Sequence, residues 1–198
     1  MKTNLMKTNL YLARHGQTQW NKVKRFQGQL DSKLTEMGQQ QSEQLALQLS
    51  NQNIDLIVSS TLGRAIDSAV ICQQILKTPM TQSNQLIERN LGNWQGQYIS
   101  EIESDEKYPE ILHQFTDLTP LEGESAICCG SRIKQALKAI SKKNINKKLL
   151  VIFHGEALRC LLAKLGHTST DNAYELFDNG CILQLSYQHN DDSFHLVT

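Results

Sequence analysis

The run KLLVIF, Lys148–Phe153, is the sequence feature that most limits the folds open to this chain. Its apolar residues leave no polar face, which is typical of a strand buried on both sides in a parallel sheet. The run ends abruptly at His154 and Gly155. Asp55–Ser59 (DLIVS) has the same pattern, and Asn9–Ala13 forms a third predicted strand. We therefore expect a sheet whose two faces are both covered.

Between these runs, apolar residues recur at the spacing of a helix. The first predicted helix is capped by Thr35 and includes Leu45, Leu47 and Leu49. The second is Leu62–Lys77, which ends before Pro79. The third is Ser125–Ser141, and the last runs from Gly155 to Leu165. Gln85–Glu88 is a plausible short strand, and Cys181–Tyr187 alternates as a half-exposed strand that could pair with the final FHLV. Strands that alternate with helices predict an α/β fold with a mainly parallel sheet.

Length and composition fit one soluble globular domain of 198 residues. Lys+Arg and Asp+Glu are both 20, so the balance of charge favours neither a nucleic-acid nor a membrane partner. No apolar run approaches the ~20 residues needed to cross a bilayer, and no secretory signal is recognisable. Five cysteines without regular spacing are typical of reduced thiols, which favours the cytoplasm. The sequence is compatible with a homodimer but does not indicate one.

Two segments stand apart from the regular pattern. Residues 1–10 read MKTNL twice, as an ambiguous start site or cloning remnant would, so we expect residues 1–8 to have no role in the fold. Residues 93–123 have the weakest periodicity and two of the three prolines. We expect this second segment to be an insertion that lies over the sheet edge as a lid.

Polar residues collect where the predicted strands end. In open α/β sheets, binding sites form outside the carboxyl ends of the strands. The groups found there are Arg14-His15-Gly16, Ser59–Arg64, Glu88-Arg89 and His154-Gly155. One edge of the sheet is therefore expected to hold two histidines, at least two arginines and a carboxylate.

These residue types suit phosphoryl transfer. Arginine binds phosphate oxygens through a planar fork of donors, and Arg64 is expected in the first turn of a helix, where the dipole also favours an anion. A neutral imidazole such as His15 can attack phosphorus, and Glu88 can give the leaving alkoxide a proton. Asn21 can donate an amide N–H to another phosphate oxygen. We expect glycine after each histidine to keep Cβ bulk away from the incoming group.

Each of these residues also has a structural explanation. His15 could be a hydrogen-bonded structural histidine, Arg64 a surface residue and Glu88 a solvated charge, whereas His154 ends a strand too apolar to be exposed. Two histidines and a carboxylate could also hold a metal. The chain lacks H-x-H, H-x-x-x-H and paired C-x-x-C motifs, and flanking arginines would repel a cation, so we predict no metal and no cofactor.

The residues resemble the histidine phosphatase superfamily, also called the phosphoglycerate mutase-like family. The resemblance runs from about Leu10 to Tyr187. It rests on LARHGQTQWN, RFQGQLDSKLTEMG, SSTLGRAIDSA, ERNLGNWQG, EGES and IFHGEALRC, in this order.

The resemblance implies a three-layer α/β/α sandwich on a mixed sheet. It also implies a role for each matching residue: His15 would be phosphorylated and Glu88 would be the general acid and base. Phosphate would be bound by Arg14, Asn21, Arg64, His154 and Gly155, with Gln27 and Gly28 at the substrate entry. The chain departs from the family at Glu156, where a small residue usually follows HG. An inward-facing carboxylate there would disfavour anionic substrates.

The superfamily contains phosphomonoester phosphatases and mutases primed by a bisphosphate. A mutase must retain a substrate with several negative charges, which requires extra cations over the pocket. Asn93–Ser125 holds Lys107 as its one cation, against eight acidic residues. We therefore predict metal-independent hydrolysis of a small phosphomonoester through phosphohistidine. A phosphoglycerate mutase and an inactive domain that binds phosphorylated ligands remain the alternatives; Lys22, Lys24, Arg25 and Arg89 could supply charge to a mutase.

Overall fold

Lys148–Phe153 is a central strand, as its composition predicts, with a parallel neighbour on each side. The computed structural model describes residues 6–167 and 177–197. Its strands in chain order are β1 (Lys7–Arg14), β2 (Leu56–Ser60), β3 (Met80–Ser83), β4 (Lys148–Phe153), β5 (Ile182–Gln188) and β6 (Ser193–Leu196). They form one six-stranded sheet in the order β3-β2-β4-β1-β5-β6. The first four strands of this order run parallel, and β5 is antiparallel to both β1 and β6.

Helices connect the strands much as the apolar spacing predicts. They are α1 (Gln19–Lys22), α2 (Glu36–Leu49), α3 (Gly63–Leu76), α4 (Ile99–Ile102), α5 (Tyr108–His113), α6 (Ala126–Lys142) and α7 (Gly155–Lys164). The predicted cap of α2 is confirmed, because Thr35 Oγ1 accepts a hydrogen bond from Gly38 N at 3.0 Å. Ser125 caps α6 in the same way, accepting from Cys128 N at 3.1 Å.

Alternate residues of the central strands face two different helical layers. Leu10 and Leu12 of β1 pack in a cluster with α6 and α7. Tyr11 and Ala13, which point to the other face, pack with α2 and α3. Residues of β4 alternate between the same two clusters. The fold is therefore the predicted mixed sheet between two helical layers.

The structure corrects the short strand expected over Gln85–Glu88. The third strand is β3, and Asn84–Leu86 is a 3₁₀ helix where a strand over Gln85–Glu88 was expected. β3 is a polar edge strand, MTQS, so no apolar run marks it. The carbonyls of Gln85 and Ile87 accept hydrogen bonds from Arg132 of α6, so they join no strand ladder.

The structure also corrects the expected start of the fold. β1 already includes Lys7 and Thr8, and Thr8 is fully buried. The Thr8 hydroxyl lies 3.2 Å from Ser141 O and 2.8 Å from Asn144 O, so it fixes this strand to the end of α6. The remainder of that prediction, on residues 1–5, lies outside the described residues.

Residues 93–123 pack in a small apolar cluster together with Phe26 and Leu91. Its buried members are Phe26, Leu91, Trp94, Tyr108, Ile111 and Leu112. The aromatic rings of Phe26 and Trp94 lie 6.0 Å apart, so this core binds the segment to the loop that follows α1. Within the described residues, no helix is long and apolar enough to cross a membrane. All five cysteines are free thiols.

Candidate active site

Two histidines meet where β1 and β4 end. The register pairs Arg14 with Phe153, so His15 and His154 follow neighbouring positions on parallel strands. His15 N donates to Phe153 O at 3.1 Å, and the two imidazole centroids are 5.3 Å apart. Both side chains are buried. The sheet itself therefore brings together the histidines that the sequence placed at separate strand ends.

The hydrogen bonds of His15 determine which of its two ring nitrogens carries the proton in the neutral form. Nδ1 lies 2.8 Å from the carbonyl oxygen of Gly16, which can only accept, so Nδ1 carries the proton. Nε2 accepts a hydrogen bond from Arg64 Nε at 3.2 Å and therefore presents a lone pair. Burial, with the positive charges of Arg64 and Arg14, holds the pKa of His15 well below its ordinary value. At neutral pH this imidazole is neutral and lies beside fixed cations, an arrangement that can serve a nucleophile.

Arg64 is fixed by the loop that follows α1. Its Nη1 donates to Leu30 O at 2.7 Å and to Asp31 Oδ1 at 3.0 Å, while Nη2 donates to Gly28 O at 2.7 Å. The side chain is 1% exposed. Arg64 lies in the first turn of α3, as predicted. Because these hydrogen bonds already fix the guanidinium, it can bind an incoming anion with little further loss of side-chain entropy.

Arg14 and the backbone of His15 are held by residues near β5. Arg14 Nη1 donates to Phe177 O at 2.5 Å, and Asn179 Nδ2 donates to His15 O at 3.0 Å. Gly180 N also donates to Arg14 O at 3.0 Å. Asn179 was not predicted, because a lone asparagine in a loop gives no sequence signal.

The predicted polar and entry residues line the same pocket. Its lining residues are Arg14, His15, Asn21, Gln27, Gly28, Arg64, Glu88, Leu91, Gly155 and Glu156. Asn21 Oδ1 accepts from both the backbone N–H and the hydroxyl of Thr18, at 3.1 Å each, so its oxygen is engaged. The amide nitrogen is then the group of Asn21 that can serve an anion.

Gly28 has a backbone φ of +53°, a conformation that favours glycine. A Cβ there would lie 2.2 Å from Gln95 Oε1, so a side chain would displace Gln95 as well as strain the backbone.

His154 lies behind His15 and is fully buried. Its Nε2 is 2.8 Å from Ser60 Oγ at the end of β2, while Nδ1 has no hydrogen-bond partner among the described residues. Burial, with the charge of Arg64 as the next cause, holds the pKa of His154 well below its ordinary value. This neutral ring can therefore offer one nitrogen to a phosphoryl oxygen. Gly155 begins α7 and lines the pocket beside it.

Glu88 is held against the N-terminus of α7. Its Oε1 accepts from Arg89 N and Ala157 N, both at 2.8 Å, and Oε2 accepts from Glu156 N at 3.2 Å. Burial and the neighbouring charge of Glu156 raise the pKa of Glu88, although Arg64 and the N–H groups oppose them. A raised pKa suits a carboxyl group that must donate a proton.

Glu156 lines the pocket, and two arginines bind its carboxylate. Arg159 Nε and Nη2 donate to its two oxygens at 3.0 Å each, and Arg89 Nη1 lies 3.2 Å from Oε2. Arg89 also donates to Ile111 O and Glu124 O, both at 2.9 Å. Arg89 is therefore committed to internal partners and does not line the pocket.

The role expected of Gly16 was wrong. A Cβ on Gly16 would lie 2.1 Å from Gly38 O, so the missing side chain allows the strand end to approach α2. The glycine is needed for packing against a helix, whereas the sequence analysis gave it the task of making room for substrate.

Eight of the nine predicted site residues line one pocket, and the ninth, His154, lies directly behind it. Sequence reasoning gave no supporting role to the residues that hold them, chiefly Asp31, Ser60, Asn179 and Arg159. Asp31, Ser60 and Asn179 each bind a site residue that lies 33 positions or more away in the sequence. No local sequence pattern therefore marks them. In residues 6–167 and 177–197, no three His, Cys, Asp or Glu side chains cluster as metal ligands would.

The fold and the site define a class: an α/β protein with a neutral histidine and two arginines at the carboxyl edge of its sheet. The model of the histidine phosphatase superfamily (branch 1) matches residues 10–198. The chain therefore belongs to this superfamily.

The relatives carry names of two kinds. The probable phosphoglycerate mutase GpmB of Yersinia pestis is 35% identical over 158 residues, covering 79% of this chain and 74% of its own. The mycobacterial glucosyl-3-phosphoglycerate phosphatase, solved with VO3, has a TM-score of 0.80 at 27% identity and covers 98% of both chains. The phosphoserine phosphatase of Entamoeba histolytica, solved as a mutant with phosphoserine, has a TM-score of 0.81 at 28% identity over 96% of this chain and 95% of its own.

Proposed function

We propose that the protein is a phosphatase that hydrolyses a small phosphomonoester through a phosphohistidine at His15 and needs no metal. The observation that carries this proposal is the state of His15. Its Nδ1 is bonded to Gly16 O, and its Nε2 lone pair lies 3.2 Å from Arg64 Nε in a pocket lined by cations. A neutral nucleophile beside fixed positive charge is what attack on a phosphoryl group requires.

In the first step, His15 Nε2 attacks phosphorus and the bond from phosphorus to the ester oxygen breaks. Arg14, Arg64, Asn21 and His154 bind the phosphoryl oxygens, whose negative charge increases in the transition state. The proton on Glu88 passes to the leaving oxygen, so the alcohol departs neutral. The Nδ1 bond to Gly16 O keeps the ring oriented while the imidazole takes on positive charge.

In the second step, Glu88 is a carboxylate and acts as the base. It takes a proton from a water molecule, whose oxygen attacks phosphorus as the bond to Nε2 breaks. Phosphate leaves, and His15 and Glu88 return to their starting protonation states. The two steps together consume one water and release one alcohol and one phosphate.

The charges around the pocket favour hydrolysis over mutase chemistry. A mutase must keep its bisphosphate intermediate bound while that molecule reorients, which requires further cations. Arg89 is taken by Glu156, and Arg25 is held between the rings of Trp20 and Tyr98, at 4.6 and 5.4 Å from their centroids. Lys107, the one lysine of the acidic lid, is exposed.

One observation favours the mutase alternative: the Yersinia relative is named for that activity. Lys22 at the end of α1 and Lys24 just after it are exposed and could attract a multiply charged substrate. The named phosphatases among the structural neighbours favour hydrolysis. A domain that only binds phosphorylated ligands is a third alternative, which the presence of both His15 and Glu88 disfavours.

Hydrolysis of p-nitrophenyl phosphate in the presence of a chelator tests the proposal. The wild-type protein should release p-nitrophenol, and His15→Ala should reduce turnover by about 10³-fold or more, since the nucleophile is lost. His195→Ala is the matched control, because His195 is an exposed histidine of β6. Turnover that persists in His15→Ala, or that the chelator abolishes, would contradict the proposal.

A second assay separates phosphatase from mutase. The protein is incubated with 3-phosphoglycerate, with and without 2,3-bisphosphoglycerate, and both phosphate and 2-phosphoglycerate are measured. We expect phosphate release to be faster than isomerisation under both conditions. Isomerisation that dominates when the bisphosphate is present would establish the mutase instead.

A further inference from the structure

Two buried carboxyl groups share the N-terminus of α7. Glu88 accepts the N–H groups of Glu156 and Ala157, the second and third residues of this helix. Glu156 and Glu88 line the same pocket. Glu88 is 8% exposed and Glu156 is 3% exposed, so water screens their interaction weakly.

The two groups have opposite environments. Glu156 faces two guanidinium groups, those of Arg159 and Arg89, at 3.0 to 3.2 Å. These arginines hold the pKa of Glu156 below its ordinary value, even though burial alone would raise it. Glu156 therefore carries its negative charge throughout the neutral range.

Glu88 makes no side-chain ion pair in the described parts of the chain. Its Oε1 accepts two N–H groups at 2.8 Å, whereas Oε2 accepts one at 3.2 Å. Oε2 is thus the oxygen better placed to hold a proton. The charged or titratable groups that face Glu88 from the surrounding elements are Glu156 of α7, Arg64 of α3, Arg132 of α6, its neighbour Arg89, and the pocket residues His15 and Arg14.

We propose that Glu156 is a positioning residue whose fixed negative charge keeps the proton on Glu88 in the resting enzyme. A like charge beside a buried carboxyl group favours the protonated form. Glu156 also contributes the backbone N–H that faces Oε2. Arg159 and Arg89 hold the carboxylate of Glu156 in one place, so its charge stays fixed relative to Glu88. The proposal rests on the proposed function, because a proton stored on Glu88 is useful when an alcohol must leave.

This arrangement also defines the substrates that need Glu156. An aryl phosphate has a good leaving group that departs without a proton. An alkyl phosphate has a poor leaving group and depends on the acid. Glu156 should therefore matter more for alkyl phosphomonoesters, whatever their organic part.

The test begins with a titration that needs no turnover. The protein is labelled with ¹³C at the side-chain carboxyl carbon of glutamate, and the Glu88 signal is assigned by its absence in Glu88→Gln. In Glu156→Gln we expect the midpoint of the Glu88 titration to fall by about one pH unit or more. Glu43→Gln, an exposed position on α2, is the control and should leave the midpoint unchanged. An unchanged midpoint in folded Glu156→Gln would overturn the proposal.

Glu156→Gln leaves two buried arginines without their carboxylate, and this variant could fail to fold. The double variant Glu156→Gln with Arg159→Gln removes one charge of each sign and keeps two polar side chains in place. We expect the midpoint to fall in this variant also. A midpoint equal to that of the wild type in the double variant would overturn the proposal.

Kinetics supply the second readout. In Glu156→Gln, the alkaline limb of the pH profile of kcat/KM should move to lower pH. At neutral pH, kcat/KM should fall at least about tenfold more for glycerol 3-phosphate than for p-nitrophenyl phosphate. Equal losses for the two esters would mean that Glu156 acts through stability alone. If the wild type hydrolyses neither ester, the proposed function fails, while the titration still tests the link between Glu156 and Glu88.

Discussion

The two sides of the pocket are built in different ways. On one side, His15, His154 and Arg64 stand at the ends of strands or in the first turn of a helix. On the other side, Gly28 and Glu88 lie in irregular segments before and after short helices. The first side is positioned by strand register, since Arg14 pairs with Phe153. The second is positioned by side chains that reach distant carbonyls, such as Gln29 Nε2 at 3.1 Å from Glu88 O.

The two sides of the pocket therefore hold different proposed catalytic groups. In the proposed mechanism, the strand-end side supplies the nucleophile and the cations, whose side chains are buried. In the same mechanism, the loop side supplies the acid and the substrate entry. Its geometry depends on hydrogen bonds from Arg64, Gln29 and Arg132. We therefore expect substitutions on the strand-end side to remove activity, and substitutions on the loop side to reduce or redirect it.

Arg64→Met should have the largest of these effects. Arg64 touches His15 and also holds the carbonyls of Gly28 and Leu30, so both sides of the pocket lose a contact. We expect kcat/KM for p-nitrophenyl phosphate to fall about 10³-fold. Arg25→Met is the matched control and should lose less than about tenfold, because its guanidinium lies against two aromatic rings. Comparable losses in the two variants would remove the distinction between the two sides.

Glu88→Gln should reduce activity in a way that depends on the leaving group. The glutamine side chain would be similar in size to that of Glu88 but could not serve as an acid. For an alkyl phosphate we expect kcat/KM to fall by about 10² or more, and for p-nitrophenyl phosphate by less than about tenfold in a single turnover. Rates for the two esters, measured side by side in rapid-quench experiments, test this expectation. A uniform loss would show that Glu88 is not the acid.

The pH dependence of activity should have an acid limb set by His15 and an alkaline limb set by Glu88, one residue from each side of the pocket. His15 must be neutral, and its pKa is lowered, so activity falls only as pH drops through that value, below the ordinary 6.5. Glu88 must be protonated, and its pKa is raised, so activity falls as pH rises through a value above the ordinary 4.5. For an alkyl phosphate, a pH profile of kcat/KM should therefore be bell-shaped, with each limb approaching about tenfold per pH unit. Loss of the alkaline limb in Glu88→Gln would assign it, and its persistence would contradict the assignment.

Asp31→Asn should have a moderate effect. Asp31 Oδ1 accepts from Arg64 Nη1 at 3.0 Å, but Arg64 keeps its bonds to Leu30 O and Gly28 O. We expect kcat/KM to fall about tenfold through looser positioning of Arg64. Asp67→Asn, an exposed aspartate of α3, should be neutral. An Asp31→Asn enzyme as active as the wild type would show that the remaining bonds suffice.

Leu112→Ala should affect stability more than catalysis. Leu112 is fully buried in the apolar cluster that also contains Phe26 and Trp94, and Leu112 itself does not line the pocket of His15. We expect the free energy of unfolding to fall by about 2–5 kcal/mol, while kcat/KM changes by less than about threefold in the folded protein. Denaturant melts and kinetics on the same preparation measure both. A large loss of kcat with little loss of stability would show that this apolar cluster takes part in catalysis.

The part of the site that the sequence could predict is the part carried by strands with apolar runs. Lys148–Phe153 was predicted to the residue, because a continuous apolar run permits few alternatives. His15 and His154 could be placed together because the strands that carry them were recognisable. β3 was missed because it is a polar edge strand with no apolar run.

The supporting contacts could not be predicted, because they join residues far apart in sequence. The bond from Asn179 to His15 O spans 164 positions, and the bond from His154 to Ser60 spans 94. Glu156 was recognised as an unusual residue, but its two arginine partners were not. A charge pattern shows which side chains are present, whereas pairing depends on the completed fold.

Trapping the covalent intermediate tests the central claim most directly. Glu88→Gln should accept phosphate from p-nitrophenyl phosphate and release it slowly, because no base activates the water. The protein is quenched in alkali, where phosphohistidine survives, and its peptides are analysed by mass spectrometry. We predict one phosphate on His15 and none in the variant that also carries His15→Ala. Turnover without phosphate on His15, or phosphate on another residue, would contradict the account.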